Sequence, residues 1–128
     1  MAGTVVAGFL TDGVYTKNVA DIVLGGADAW VNFNGTTSPG TIRAQYNVSS
    51  VTKNGTGDYT INFTTPFPDT SYATIGSQKE DESSNTGGNT AFKIARFVQT
   101  TSSIRVQTFV TSNGTLLDSI QVNVAVFR

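Results

Sequence analysis

Between Tyr46 and Phe63 the chain reads YNVSSVTKNGTGDYTINF. Two segments that alternate apolar and polar residues flank a Gly-rich turn around Lys53–Gly57. Alternation with period two puts one side of each segment toward a core and the other toward water. Asn54-Gly55 supplies residues that tolerate positive φ, so the stretch predicts an antiparallel hairpin. Tyr46 and Val48 lead in, and Tyr59, Ile61 and Phe63 lead out as a candidate buried stripe.

The same pattern recurs on either side. Ala29–Phe33 (AWVNF) stops at Asn34-Gly35, and Thr41–Val51 reads as one strand with Ile42, Ala44, Tyr46 and Val48 on one face. Asp58–Thr64 is the return strand, after which Pro66-Phe67-Pro68-Asp69 breaks the sheet, because proline cannot donate to a ladder. Ser71–Gly76 predicts a short strand and Gln78–Thr90 a polar loop. Phe92–Thr100 and Ser103–Thr111 form a second hairpin turning at Thr101-Ser102, a third turn falls at Ser112-Asn113-Gly114, and Ser119–Phe127 closes the pattern. In that last strand Ile120, Val122, Val124 and Val126 share a face. About seven or eight short strands without helical periodicity predict an all-β antiparallel β-sandwich, jelly-roll or immunoglobulin-like.

Residues 29–128 make up that domain, and residues 1–28 stand apart. The segment TVVAGFL at Thr4–Leu10 reads either as an extra edge strand or as an arm that packs on a neighbouring subunit or a larger assembly. The arm is the preferred expectation, because Gly25-Gly26 reads as a hinge. Its anchoring residues are then Val5, Val6, Phe9 and Leu10.

Composition narrows the chemistry. At 128 residues the chain has room for one domain. Charged residues are only 13 %, against ~25 % in ordinary domains, and Thr, Ser, Asn and Gly fill the difference. The formal net charge of -1 without a basic stripe argues against phosphate-driven nucleic-acid binding. No apolar run reaches the ~20 residues of a membrane span. The opening MAGTVVAGFLTDG lacks the charged first segment of a secretory signal. With no cysteine there is no disulfide framework. Five Asn-x-Ser/Thr sequons start at Asn34, Asn47, Asn54, Asn62 and Asn113, and turn chemistry explains the three that read Asn-Gly-Thr.

Catalysis has little to work with. Zero histidines remove the usual general base and the commonest metal ligand, so neither catalytic nor metal-binding residues are assigned and no cofactor is expected. Carboxylates number seven Asp and two Glu. A carboxylate pair for glycoside hydrolysis could come from distant positions such as Asp58, Asp69 and Asp118, yet each sits beside a turn where Asp bonds its own backbone. The cluster Lys79-Glu80-Asp81-Glu82 departs from the spacing of a calcium loop and reads as a solvated loop tip. Trp30 either lines a sugar platform or packs in the core, with the core as the default. Phe67, held between two prolines, is either an exposed contact or a plug under a loop. Arg96 puts a charge amid Phe92, Ile94 and Val98, which calls for an ion pair, a trimer axis or a bulge.

Ala29–Thr37 (AWVNFNGTT) and Ile42–Ala73 (IRAQYNVSSVTKNGTGDYTINFTTPFPDTSYA), with the closing VNVAVF, resemble the C-terminal domain of bacteriophage tail-fibre and related virion structural proteins of marine and cyanophage type. The resemblance implies a non-enzymatic virion protein, homotrimeric, contacting other virion proteins of capsid or tail and a host surface glycan or protein. It implies synthesis in the host cytoplasm and a final place in the virion. In the family this domain follows a long shaft, whereas here its pattern starts within the first 30 residues. That turns the expectation toward a short fibre, an appendage or a capsid decoration protein. By position the loop Gln78–Thr90 is the receptor contact: Gln78, Lys79, Glu80, Asp81, Glu82, Ser83, Ser84, Asn85 and Asn89, joined by Trp30 and Phe67 as aromatic contacts. The alternative from another class is a stand-alone carbohydrate-binding module or adhesin.

Overall fold

A computed structural model of the chain describes residues 9–11, 16–18, 26–79 and 89–128. Among them there is no helix. Two short strands, β1 (Phe9–Thr11) and β2 (Thr16–Asn18), pair with each other as a two-stranded antiparallel sheet. Eight longer strands follow: β3 (Ala29–Asn34), β4 (Thr41–Tyr46), β5 (Val48–Gly55), β6 (Asp58–Phe63), β7 (Ala73–Lys79), β8 (Thr90–Gln99), β9 (Ser103–Val110) and β10 (Gln121–Phe127). They form two antiparallel sheets in the orders β4-β3-β10-β7 and β5-β6-β9-β8. The fold is therefore an all-β sandwich, as the alternating pattern requires. Its order differs from the seven-stranded immunoglobulin sheets, because the last strand inserts beside the first.

The core lies between the sheets. Val31 and Phe33 of β3 and Val122, Val124 and Val126 of β10 face Tyr59 and Ile61 of β6 and Ile104 and Val106 of β9, all buried. Phe33 and Tyr59 meet edge to face across the layer at 5.1 Å. Phe67 is the plug under a loop: it packs on Phe63 at 4.8 Å and on Tyr72 at 4.9 Å, and its N–H donates to the Thr101 carbonyl. The two prolines hold it there while the chain crosses from β6 to β7.

The opening hairpin is present, but its details shift. The run Thr41–Val51 is two strands in different sheets, divided at Asn47, whose φ is 54°. Asn is among the few residues that take this left-handed conformation readily. Its side chain makes the corner worthwhile. Nδ2 donates to the carbonyls of Asp28 and Thr65, and Oδ1 accepts the Thr65 N–H at 2.7 Å. One residue thus ties the entry of β3 to the exit of β6. A bulge between Asn32 and Phe33 further turns Ala44 and Tyr46 outward, while Ile42 packs on the core. A second shift, between Val48 and Ser50, lets Val48 and Val51 both face inward.

The turn also moves by two residues. Gly55 pairs with Asp58, and positive φ falls on Gly57 (62°) rather than on Asn54-Gly55. A Cβ on Gly57 would lie 2.5 Å from the Leu117 nitrogen and the Thr108 carbonyl oxygen, so space as well as dihedral demands glycine. β8 carries the irregularity suspected at Arg96: its register shifts between Ile94 and Gln99. β7 runs to Lys79, three residues past the predicted end of that strand.

Replacing Asn47 by Ala removes three hydrogen bonds and imposes a left-handed dihedral on a residue that resists it, an expected loss of about 2–4 kcal/mol. Asn47→Gly keeps the dihedral accessible and should lose about half as much. Urea denaturation compares them, and equal losses would show that the dihedral contributes nothing.

Candidate functional site

The two outer faces of the sandwich differ in kind. On the sheet β5-β6-β9-β8 the outward residues bond one another. Arg105 grips Asp58 with two bonds of 2.6 Å, Gln107 and Asn54 add a third and fourth donor, and Asn62 donates to Ser50 and Thr52. These groups form a polar mesh over β5, β6 and β9, while at the β8 edge Lys93 lies 4.7 Å over the Phe109 ring and Ile94 is 40 % exposed.

The sheet β4-β3-β10-β7 presents two parallel rows instead. In the first, Tyr46 pairs with Trp30, Trp30 with Ala125, and Ala125 with Ile75, one residue from each strand. Tyr46 is 57 %, Trp30 40 % and Ile75 61 % exposed, so a continuous apolar stripe faces solvent. Three strand spacings of ~4.8 Å make it about 14 Å long. Ala125, small and flanked by larger neighbours, leaves a trough of 410 Å³. The second row, Ala44–Asn32–Asn123–Ser77, lies two residues along each strand. Its polar members form a chain: Asn32 Nδ2 donates to Asn123 Oδ1 at 2.5 Å, and Asn123 Nδ2 donates to Ser77 Oγ at 3.2 Å. Arg43 lies at the end, with Nη1 on Asn32 Oδ1 at 3.5 Å and Nη2 on the Ile120 carbonyl at 2.6 Å. An apolar stripe beside a strip of amides is a surface suited to binding, set on strands whose other side is the core.

Trp30 is thus on the outside, contrary to the default expectation for it. Within AWVNF the alternation is plain, but only the pairing of β3 with the valines of β10 decides which side is buried. Tyr46, Asn32, Asn123, Ser77 and Ile75 did not stand out in the sequence as a group. One sign was there: in VNVAVF the valines claim one face, which leaves Asn123 and Ala125 on the other. Of the proposed contact loop, Gln78 belongs to β7, where Oε1 accepts the Ser119 hydroxyl, and Lys79 ends the same strand, exposed. Asn89 is exposed and its carbonyl accepts from Thr111. Glu80, Asp81, Glu82, Ser83, Ser84 and Asn85 lie outside the described residues, as do Val5 and Val6, while Phe9 and Leu10 fall in β1. Phe67 is buried and unavailable for contact.

The three carboxylates considered for acid–base chemistry are all ion-paired. Hydrogen bonds from Arg105 hold Asp58 below the ordinary carboxylate range, and those from Arg128 do the same for Asp69. At Asp118 burial opposes the charge, but bonds from Lys53 (2.6 Å), the Gly57 N–H (2.8 Å) and the Tyr59 hydroxyl (3.1 Å) outweigh it, and its pKa is lowered too. Each stays ionised at neutral pH, the opposite of a general acid tuned upward. Among the described residues no three His, Cys, Asp or Glu side chains gather to hold a metal ion.

Comparison of the chain with protein-family models, with curated proteins and with solved structures finds no match.

A depressed folded pKa means that the unfolded chain binds protons more readily in acid. The stability from Asp58 and Asp118 is present above the ordinary value of 3.8 and is lost as pH falls through the folded values. Tyr59, pushed up to about 12 by burial and by Asp118, favours the folded state below pH 10 and ceases to do so as pH rises toward 12. Thermal melts followed by circular dichroism should fall at both extremes. Asp118→Asn should melt lower at neutral pH and show a flatter acid limb; an unchanged acid limb would remove Asp118 from this account.

Proposed function

We propose that the chain is a non-enzymatic structural protein of a bacteriophage particle, a short fibre, appendage or capsid decoration protein that takes part in host attachment or particle decoration. The observation that carries the binding part of this reading is the outer face of the β3/β10 sheet, where Tyr46, Trp30 and Ile75 stay exposed beside an amide strip. The virion assignment rests on the sequence resemblance over Ala29–Thr37 and Ile42–Ala73. The absence of catalysis rests on three carboxylates committed to Arg105, Arg128 and Lys53 and on the lack of histidine.

Two roles divide between two parts. The sandwich presents the binding face, and the N-terminal segment is the arm that anchors the protein to a neighbouring subunit or to the capsid or tail. The pairing of β1 with β2 as a two-stranded sheet of their own, among the described residues, supports the arm. Assembly is a homotrimer, in which subunit contacts supplement the modest core of a small domain. A second reading shares the same face: a stand-alone carbohydrate-binding module or adhesin, favoured by the exposure of Trp30.

Sedimentation velocity of the full chain at micromolar concentration should give three times the 13.5 kDa protomer mass. A stable monomer overturns the trimer. Deleting residues 1–26 should leave the sandwich folded by circular dichroism and abolish incorporation into particles. Loss of the fold instead would make those residues part of the core, and gold-labelled antibody that decorates no particle would favour the stand-alone module.

A further inference from the structure

We infer that the outer face of the β3/β10 sheet binds a neutral oligosaccharide, with Trp30 and Tyr46 as the stacking surface and Asn32, Asn123 and Ser77 as the hydrogen-bonding edge. The inference rests on the attachment reading and names the ligand class of its face.

A pyranose ring is amphipathic in a particular way. Its C–H groups form apolar faces, and its hydroxyls project around the rim. The sheet offers the matching arrangement, an apolar row holding Tyr46 and Trp30 beside a second row holding Asn32, Asn123 and Ser77. The electron-rich faces of Trp and Tyr attract C–H groups, and the neighbouring row meets the rim. The trough over Ala125 gives a ring on Trp30 room to continue toward Ile75.

The hydrogen bonding within the amide row is directional. Arg43 donates to Asn32, Asn32 to Asn123, and Asn123 to Ser77. Asn123 Oδ1 receives a further bond from Gln121 Nε2 at 3.4 Å, so two donors fix the orientation of that amide. Each asparagine spends one of its two N–H groups inside the chain, and Ser77, having accepted, keeps its own proton to donate. The edge therefore presents a line of donors at strand spacing, suited to hydroxyl oxygens. Carbohydrate hydroxyls accept and donate alike, and they lose little by accepting here.

Charge selects among glycans. Neither row holds a charged side chain; two cations stand beyond the rows, Arg43, held by the Ile120 carbonyl and Asn32, and Lys79, two residues past Ser77 on β7. Within the two rows an anionic polysaccharide finds no ion pair, the cations Arg43 and Lys79 standing beyond their ends, whereas a neutral one needs none. Rigidity favours the same use. β3 and β10 are the central strands, and Val31, Phe33, Val122 and Val124 on their inner sides are buried, so little ordering is lost on binding.

Trp30 is the single tryptophan of the chain, so its fluorescence reports on this face alone. The full chain is titrated with cellohexaose, maltohexaose, mannohexaose and chitohexaose and screened on a glycan array. The expected result is a saturable shift of Trp30 emission with at least one neutral glycan. Asn123→Ala should weaken that binding by roughly tenfold, and Ala125→Phe, which fills the trough, should abolish it. Thr52→Ala, on the opposite sheet, should leave it unchanged. All variants are checked for a wild-type melting profile; should Ala125→Phe fail that check, Asn123→Ala and Trp30→Ala on the array carry the test. No emission change with any hexasaccharide and no neutral glycan retained on the array overturns the inference, as does binding confined to anionic glycans. Conversion of a trimer to monomers by Trp30→Ala also overturns it, by assigning the face to contact between copies. Particle localisation by labelled antibody is independent of all these, so a failed glycan test leaves the virion reading to stand or fall by itself.

Discussion

The Asp118 carboxylate fixes how the two sheets meet at one end of the sandwich. It belongs to the segment leading into β10, while its donors come from β5 (Lys53), from the β5–β6 turn (Gly57) and from β6 (Tyr59). A single side chain therefore locks the central strand of one sheet to the hairpin of the other. The Tyr59 hydroxyl has the Gly35 carbonyl as a second acceptor at 3.2 Å, and Gly35 in turn donates its N–H to Ser119. A Cβ at Gly35 would sit 2.3 Å from that hydroxyl oxygen, so the network excludes any larger residue there. Half-buried ion pairs contribute modestly to stability by themselves. This one matters through geometry: with three donors from the other sheet converging on it, alternative registers of β10 leave polar groups stranded. At the crossing between β4 and β5 Asn47 has a similar role for β3 and β6. Between these two ties the apolar stripes have one way to stack.

What was legible in the sequence follows from this division. The stripes Tyr59-Ile61-Phe63 and Val122-Val124-Val126 could be read directly, because period-two alternation is a local property of a strand. So could the break at Pro66–Asp69. The turn was misplaced because Asn54-Gly55 has the better local chemistry, yet Asn54 is used as a donor to Asp58 and Thr60, and the tight approach of Leu117 puts the left-handed residue at Gly57. The division of Thr41–Val51 was hidden for a related reason. Alternation continues through Asn47, and only its contacts to Asp28 and Thr65, distant in sequence, make a corner there. Local propensity proposed; non-local hydrogen bonds chose.

The candidate site was the least legible part, and Trp30 shows why. Either side of AWVNF could have been the core, since Trp30 competes with Val31 and Phe33 as an apolar anchor. The decision lies in cross-strand register, which sets Trp30 against Ala125 and Tyr46 rather than against the valines. No single strand contains the site. It exists as two rows perpendicular to the chain, each assembled from four strands, and sequence proximity gives no hint of such rows. The bulge at Asn32/Phe33 adds a further step, because it alone turns Tyr46 into line with Trp30.

The contrast between the two outer faces separates use from solubility. Both faces are wet, both are rich in amides and hydroxyls, and composition alone treats them alike. On the Asp58 face the groups satisfy one another: Asp58 takes four donors, and Asn62 bridges two hydroxyls. A surface maintained only to stay in solution can close on itself in this way, with a single large apolar residue of that sheet, Ile94 at the β8 edge, in water among the described residues. The Trp30 face does the reverse. It keeps a tryptophan, a tyrosine and an isoleucine in solvent, in one row, beside amides that hold donors in reserve. Scattered exposed apolar residues need no explanation, but alignment across four strands does. The exposure is a standing cost in hydration that only an occupant of the face removes.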